Sequence, residues 1–167
     1  EFVGWFTAAS GGTAVSTNAT YTFKYDISYT GKTLYARFKA NQYTVKFDAN
    51  GGSGTMSNQS YAYGVSQALT TNAFTRTGYT FAGWNTNADG TGTSYTDKQS
   101  VSNLSSTNGA TVTLYAQWTA NTYTITLGKQ GGTGGTNSVT VQYKNNNYSV
   151  SPVIVPTKTG YTFGGYY

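Results

Sequence analysis

The sequence contains no cysteine and no histidine. Disulfides, thiolate chemistry and metal sites built on Cys or His are therefore excluded. So is a Ser or Thr nucleophile activated by an imidazole base. Acids are scarce as well: Glu1, Asp26, Asp48, Asp89 and Asp97 are all there are. A glycosidase needs two carboxylates facing one cleft. Here Asp48 falls at the end of a predicted strand, Asp89 and Asp97 fall in turn or cap contexts, and no carboxylate pair recurs along the chain. No catalytic residue is expected. Charged residues make up only 9% of the chain, against about a quarter in ordinary domains.

The ten cations give a net charge of +5. They are Lys24, Lys32, Arg37, Lys39, Lys46, Arg76, Lys98, Lys129, Lys144 and Lys158, and no two are adjacent. Proteins that track phosphates cluster their cations, so no nucleic-acid partner is expected. The sequence has no long apolar run, signal peptide or lipid anchor, and no membrane insertion is expected of it. Both ends cut a repeat open, so such signals are expected elsewhere on a longer chain. Long amphipathic helical patterning is also missing.

What the chain does have is aromatic and turn-forming residues. Aromatics reach 16%, with sixteen Tyr, and Thr, Ser, Asn and Gly fill most of the rest. β-Branched and aromatic side chains suit pleated, half-buried surfaces; Gly and Asn suit turns. The chain is expected to be mostly β, α+β at most.

It also repeats itself. Tyr43-Thr44-Val45-Lys46-Phe47 returns as Tyr123-Thr124-Ile125-Thr126-Leu127, and Thr33-Leu34-Tyr35-Ala36-Arg37-Phe38 returns as Thr113-Leu114-Tyr115-Ala116-Gln117-Trp118. Phe2-Val3-Gly4-Trp5 returns as Phe81-Ala82-Gly83-Trp84 and again as Phe163-Gly164-Gly165-Tyr166. A period of about 80 residues defines the organisation. Residues 1–40 are the C-terminal part of a first repeat, 41–120 a complete repeat, and 121–167 the N-terminal part of a third.

Within the complete repeat, Tyr43, Val45 and Phe47 alternate with Thr44, Lys46 and Asp48, which predicts a half-buried strand. Asn50-Gly51-Gly52 ends it. A second strand is expected over Gln59–Tyr63, with Tyr61 and Tyr63 on one face. Leu69 and Phe74 are expected as core anchors in an irregular or short helical crossing. The corresponding stretch of the third repeat holds Pro152 and Pro156, which argue for an extended segment. A strand is expected over Gly78–Trp84. One short helix is expected between Tyr95 and Leu104, capped by Thr96 or Asp97. The last strand places Leu114, Ala116 and Trp118 inward. Only Lys39-Ala40-Asn41 and Thr119-Ala120-Asn121 join successive repeats, which implies an extended, fairly stiff string.

Taken together, Tyr43-Thr44-Val45-Lys46-Phe47-Asp48-Ala49-Asn50-Gly51-Gly52, Gly54-Thr55-Met56, Gly78-Tyr79-Thr80-Phe81-Ala82-Gly83-Trp84 and Thr113-Leu114-Tyr115-Ala116-Gln117-Trp118 resemble the Listeria–Bacteroides repeat. This is the B-repeat family of internalins and many bacterial surface proteins. The resemblance implies tandem β-grasp-like modules, a bent sheet with at most a short helix, on secreted or wall-linked bacterial proteins. It implies stalks and interaction spacers, and no shared catalytic residue or cofactor. The family joint often carries proline where this chain has Ala40 and Ala120.

Three side chains are candidate glycan contacts: Tyr35, Tyr95 and Tyr115. The other recurrent rings, Phe81, Trp84 and Trp118, are assigned to the core. Asn85-Thr86-Asn87-Ala88-Asp89-Gly90 has the oxygen spacing of the start of a calcium loop, but it carries one carboxylate and no closing Glu; a plain polar turn is expected, and no metal. N-glycosylation patterns begin at Asn18, Asn58, Asn103 and Asn147. The sequence thus points to a structural or adhesive stalk at a bacterial surface. The alternatives are a glycan- or receptor-binding repeat acting by avidity, and a self-assembling extracellular filament or sheath. Expected partners are neighbouring repeats of the same or like chains, with a host glycan or receptor as a further candidate.

Overall fold

The computed structural model describes residues 1–22, 31, 33–143, 149–150 and 152–167. Lys24, Asp26, Lys32, Lys144 and the pattern at Asn147 lie outside the described residues. All described elements are strands, and the described residues include no helix. The chain divides into two compact units: Glu1–Lys46 with Asn58–Thr70 and Lys98–Thr113, and Phe47–Ser57 with Thr71–Asp97 and Leu114–Tyr167.

In the first unit, β1 (Phe2–Phe6), β2 (Ala14–Ser16) and β3 (Tyr35–Phe38) form an antiparallel sheet in the order β2-β1-β3. The unit also holds most of β4 (Gln42–Asp48), together with β5 (Gln59–Ala62), β6 (Gln67–Ala68) and β9 (Ser100–Val101). Its core is Tyr43, Val45, Tyr61, Leu69 and Val101, all buried. Strands β4 and β5 put Tyr43 opposite Tyr61, and the two rings stack at 5.4 Å.

In the second unit lie β7 (Tyr79–Asn85), β8 (Ser94–Tyr95), most of β10 (Thr111–Ala120), and the three-stranded sheet of β11 (Thr122–Thr126), β12 (Ser138–Gln142) and β13 (Ser149–Val150). Trp84 is fully buried. Phe47, Phe74 and Phe81 surround it, at centroid distances of 4.8, 6.1 and 5.0 Å. Leu114, Ala116, Val139 and Val141 are also buried in this unit.

The complete repeat builds a five-stranded sheet in the order β5-β4-β10-β7-β8. Its first and last long strands are neighbours. Thr44 N–H donates to Ala110 O, and Asn50 Nδ2 donates to Ala116 O, 66 positions on. The offset is the same at both points, so β4 and β10 run parallel.

The alternation of Tyr43, Val45 and Phe47 and the burial of Leu69 and Phe74 agree with the sequence reading. The short helix expected between Tyr95 and Leu104 does not form. Lys98 and Asn103 take φ of 59° and 57°, a conformation no right-handed helix contains. Ser100–Val101 pairs instead with Gln67–Ala68. The same pairing makes the crossing before Phe74 extended rather than helical. Asp97 caps no helix; its carboxylate accepts the N–H of Asn72 at 2.9 Å. Tyr63 does not share the burial of Tyr61: β5 ends at Ala62, and Tyr63 is 44% exposed. Trp118, expected inward, is half-buried, with its ring against Phe81.

Candidate functional site

In a chain of tandem repeats, the joints between them are the first candidate for function. Asn41 and Asn121 occupy equivalent places in the two joints and make equivalent bonds. Tyr63 N–H donates to Asn41 O, and Tyr143 N–H donates to Asn121 O, both at 2.8 Å. At the second joint, Asn121 N–H also donates to Gly78 O at 2.8 Å, and Thr80 Oγ1 donates to Asn121 Oδ1 at 2.6 Å. Residue 121 is thus tied both to the strand before it and to the strand after it. The ring of Tyr143 lies over Gly78, where a Cβ would overlap its carbons. It also meets the ring of Tyr79 edge-on at 5.5 Å. Arg76 covers the same Tyr79 ring at 4.2 Å.

A second recurrent device closes the loop after the Gly-Trp strand. Asn85 is completely buried. Its Nδ2 donates to Gly90 O, Gly92 O and Ser94 Oγ, and its Oδ1 accepts the N–H groups of Asn87 and Gly92. Gln117 Nε2 reaches the same loop at Asn87 O, 3.3 Å away. Arg37 is the first-repeat counterpart of Gln117. It donates to Ala8 O at 2.7 Å and also to Gly11 O, and its guanidinium lies 4.0 Å from the Phe6 ring centroid. The sequence reading took 85–92 as a plain turn and missed Asn85 as its internal staple. The only available signal was an Asn directly after the recurrent Trp.

This staple bears on the calcium pattern. Three of the loop's side-chain oxygens, Asn85 Oδ1, Thr86 Oγ1 and Asp89 Oδ1, accept from the loop's own N–H and O–H groups. The Asp89 carboxylate accepts from Thr91 N–H and Oγ1 at 3.0 and 2.7 Å. These bonds hold its pKa below the ordinary carboxylate value. Among the described residues, no three Asp or Glu side chains gather in a group that could hold a metal ion.

The glycan candidates are placed apart. Trp84 is opposite both Tyr95 and Ala116 in register, while Asn85 is opposite both Ser94 and Tyr115. Residues opposite one another share a face. Tyr95 therefore lies on the buried Trp84 face, and Tyr115 on the reverse face beside the stapled loop. These two rings do not form one platform. Tyr35, on β3 opposite Phe6, is 39% exposed.

The comparisons with known proteins agree with this architecture. The family described as the Listeria-Bacteroides repeat domain matches residues 1–37, 43–117 and 123–167. Internalin H of Listeria monocytogenes is 30% identical over 93% of this chain. A protein described as a Gly-rich membrane protein of Evansella cellulosilytica is 29% identical over the whole chain. The chain spans 26% and 19% of the lengths of these two relatives. No solved structure matches it. The chain belongs to the Listeria-Bacteroides repeat family, a repeat domain of bacterial surface proteins such as internalin H.

Proposed function

We propose that the chain is a spacer segment of a bacterial cell-surface protein, an array of β-grasp-like repeats that holds other parts of the protein away from the envelope. The observation that carries this reading is the doubly tied joint at Asn121, bonded to Gly78 before it and Tyr143 after it. A joint of three residues with both neighbours bonded to it resists bending, whereas a free linker of that length would not. The parallel neighbours β4 and β10 support the β-grasp-like reading, although no helix crosses them. Sparse charge limits repulsion between successive repeats. The relatives, internalin H and a membrane protein, support an extracellular position at the cell surface.

Small-angle scattering of the 167-residue chain tests the reading. The expected particle is elongated, and three glycines inserted after Ala120 shorten its mean maximum dimension. A compact particle unaffected by that insertion would overturn it.

A second reading, glycan binding by avidity, rests on Tyr35. Its ring is exposed on β3, and sugar faces stack on such rings. A glycan array probed with the chain and with Tyr35→Ala is the corresponding test.

A further inference from the structure

The chain enters the complete repeat through β4 and leaves it through β10, and these two strands are neighbours inside its sheet, in the order β5-β4-β10-β7-β8. Near the start of both strands the bonds are mostly main-chain. Gly109 N–H donates to Gln42 O at 2.7 Å and Thr44 N–H to Ala110 O at 2.8 Å, while Gln42 N–H donates to Asn108 Oδ1 at 2.9 Å. Past Asp48, where β4 stops, side chains continue the ladder. Asn50 Nδ2 donates to Ala116 O, and Trp118 Nε1–H donates to Ala49 O, each at 2.9 Å.

This arrangement decides how the repeat meets tension. A pull along the chain draws β4 by its first residue and β10 by its last. The strands are parallel, so they are drawn past one another and all the bonds between them stretch together. Antiparallel strands drawn by the same two points would be loaded at one end only and would open one bond at a time. A single hydrogen bond contributes only about 1 kcal/mol net, so resistance to load depends on how many bonds share it. Neither strand is an edge: β5 flanks β4 and β7 flanks β10. Tyr43, Val45 and Phe47 on β4 and Leu114 and Ala116 on β10 are buried, which keeps water from replacing the stretched bonds.

We propose that β4 and β10 form a mechanical clamp, through which the complete repeat bears tension along the chain without opening. The use of such a clamp rests on the spacer reading, since a spacer passes load from one end to the other. Forced unfolding follows the rate of unfolding, and here that rate depends on the direction of the pull, which equilibrium stability does not.

The test is single-molecule force spectroscopy of the 167-residue chain held at two points. The chain has no cysteine, so pairs of introduced thiols give unique handles. Gln42→Cys with Ala120→Cys loads the clamp in shear. Gln42→Cys with Thr111→Cys pulls the same two strands apart from one end. The shear pair is expected to give one sharp rupture that releases about 25 nm of chain, at a force several-fold above that of the second pair. Asn50→Gly keeps a residue that accepts the φ of 46° and removes the bond to Ala116 O. It is expected to lower the rupture force in shear and leave the other direction unchanged, where the bonds at Gln42 break first. Equal forces in the two directions would overturn the proposal, as would smooth extension of the shear pair without a rupture. A fall in both directions with Asn50→Gly would show a loss of stability alone and would also count against it. Equal forces in an elongated particle would remove the clamp and leave the spacer. A compact particle with a strong directional difference would do the reverse.

Discussion

The ring of Tyr143 rests on the α-carbon of Gly78, 65 positions earlier in the chain and in the preceding repeat. Gly78 holds φ of +77°, so two demands meet at one residue. A side chain there is strained by the backbone conformation and also collides with the ring. Gly78→Ala is expected to destabilise the chain by about 1–3 kcal/mol. The two demands separate in a double-mutant cycle. With Tyr143→Ala in the background, only the backbone strain remains, and Gly78→Ala is expected to cost about 1 kcal/mol. Urea unfolding of the four proteins measures the difference. Equal costs in both backgrounds would show that the ring contact contributes nothing to the joint.

Much of this fold is legible in the sequence because burial in strands alternates. Tyr43, Val45 and Phe47 announce β4 and its inner face, and the 80-residue period announces the repeats. The misreadings share a cause. Ser100–Val101 has no strand signal of its own; it becomes a strand only because Gln67–Ala68, far away in sequence, pairs with it. Trp118 reads as an inward residue and its ring does meet Phe81 of the Trp84 cluster, but its bond to Ala49 O is one that no side-chain pattern reports. The joint was visible only as a short linker. That Asn41 and Asn121 recur at the same place was the available clue, and their bonds depend on backbone partners that no side-chain pattern reports.

Trp84 is the anchor of its unit and has an unusual feature. Its indole nitrogen is buried and has no hydrogen-bond partner among the described residues. Trp84→Ala is expected to cost about 3–5 kcal/mol, through lost transfer energy and a cavity beside Phe47, Phe74 and Phe81. Trp84→Phe leaves a smaller cavity and removes the unpaired donor. It is expected to cost less than half as much. Thermal unfolding of the two variants gives the ratio. A Phe variant as damaging as the Ala variant would mean that the indole N–H has a partner in solution.

The stacked pair in the other unit predicts an alkaline limit. Burial, and secondarily the neighbouring Tyr43, push the Tyr61 pKa from 10.0 up to about 12. The folded state therefore favours the neutral phenol more than the unfolded chain does. The stability this supplies is complete below pH 10 and is lost as pH rises toward about 12. Tyr61→Phe removes the ionising group and is expected to flatten the fall in stability over that window. It also loses the hydroxyl bond to Ala68 O, which is 3.3 Å long, at the price of a small loss of stability near neutrality. Denaturation midpoints measured from pH 8 to 12 report both effects. A parallel decline in the two proteins would assign the alkaline limit to another group.

Asn85 makes the final prediction, because one amide does work that a cation does in other loops. It binds three acceptors and two backbone donors across residues 87–94. Asn85→Ala strands several of these groups in a buried place and is expected to cost about 1–3 kcal/mol. Asn85→Asp keeps the shape and the acceptor, but it replaces an N–H donor with a carboxylate facing Gly90 O and Gly92 O. Its ionised form is disfavoured there, so its folded pKa is raised. The variant is therefore expected to be most stable at acid pH and to weaken as pH rises through the carboxylate range, a dependence the native chain does not share. Because the staple is already complete, calcium at millimolar concentration is expected to leave the native unfolding temperature unchanged. A calcium-dependent rise in the native chain would mean that the loop opens its oxygens to a cation. Calcium rescue confined to Asn85→Asp would instead show that the amide and the ion are interchangeable ways of closing the same turn.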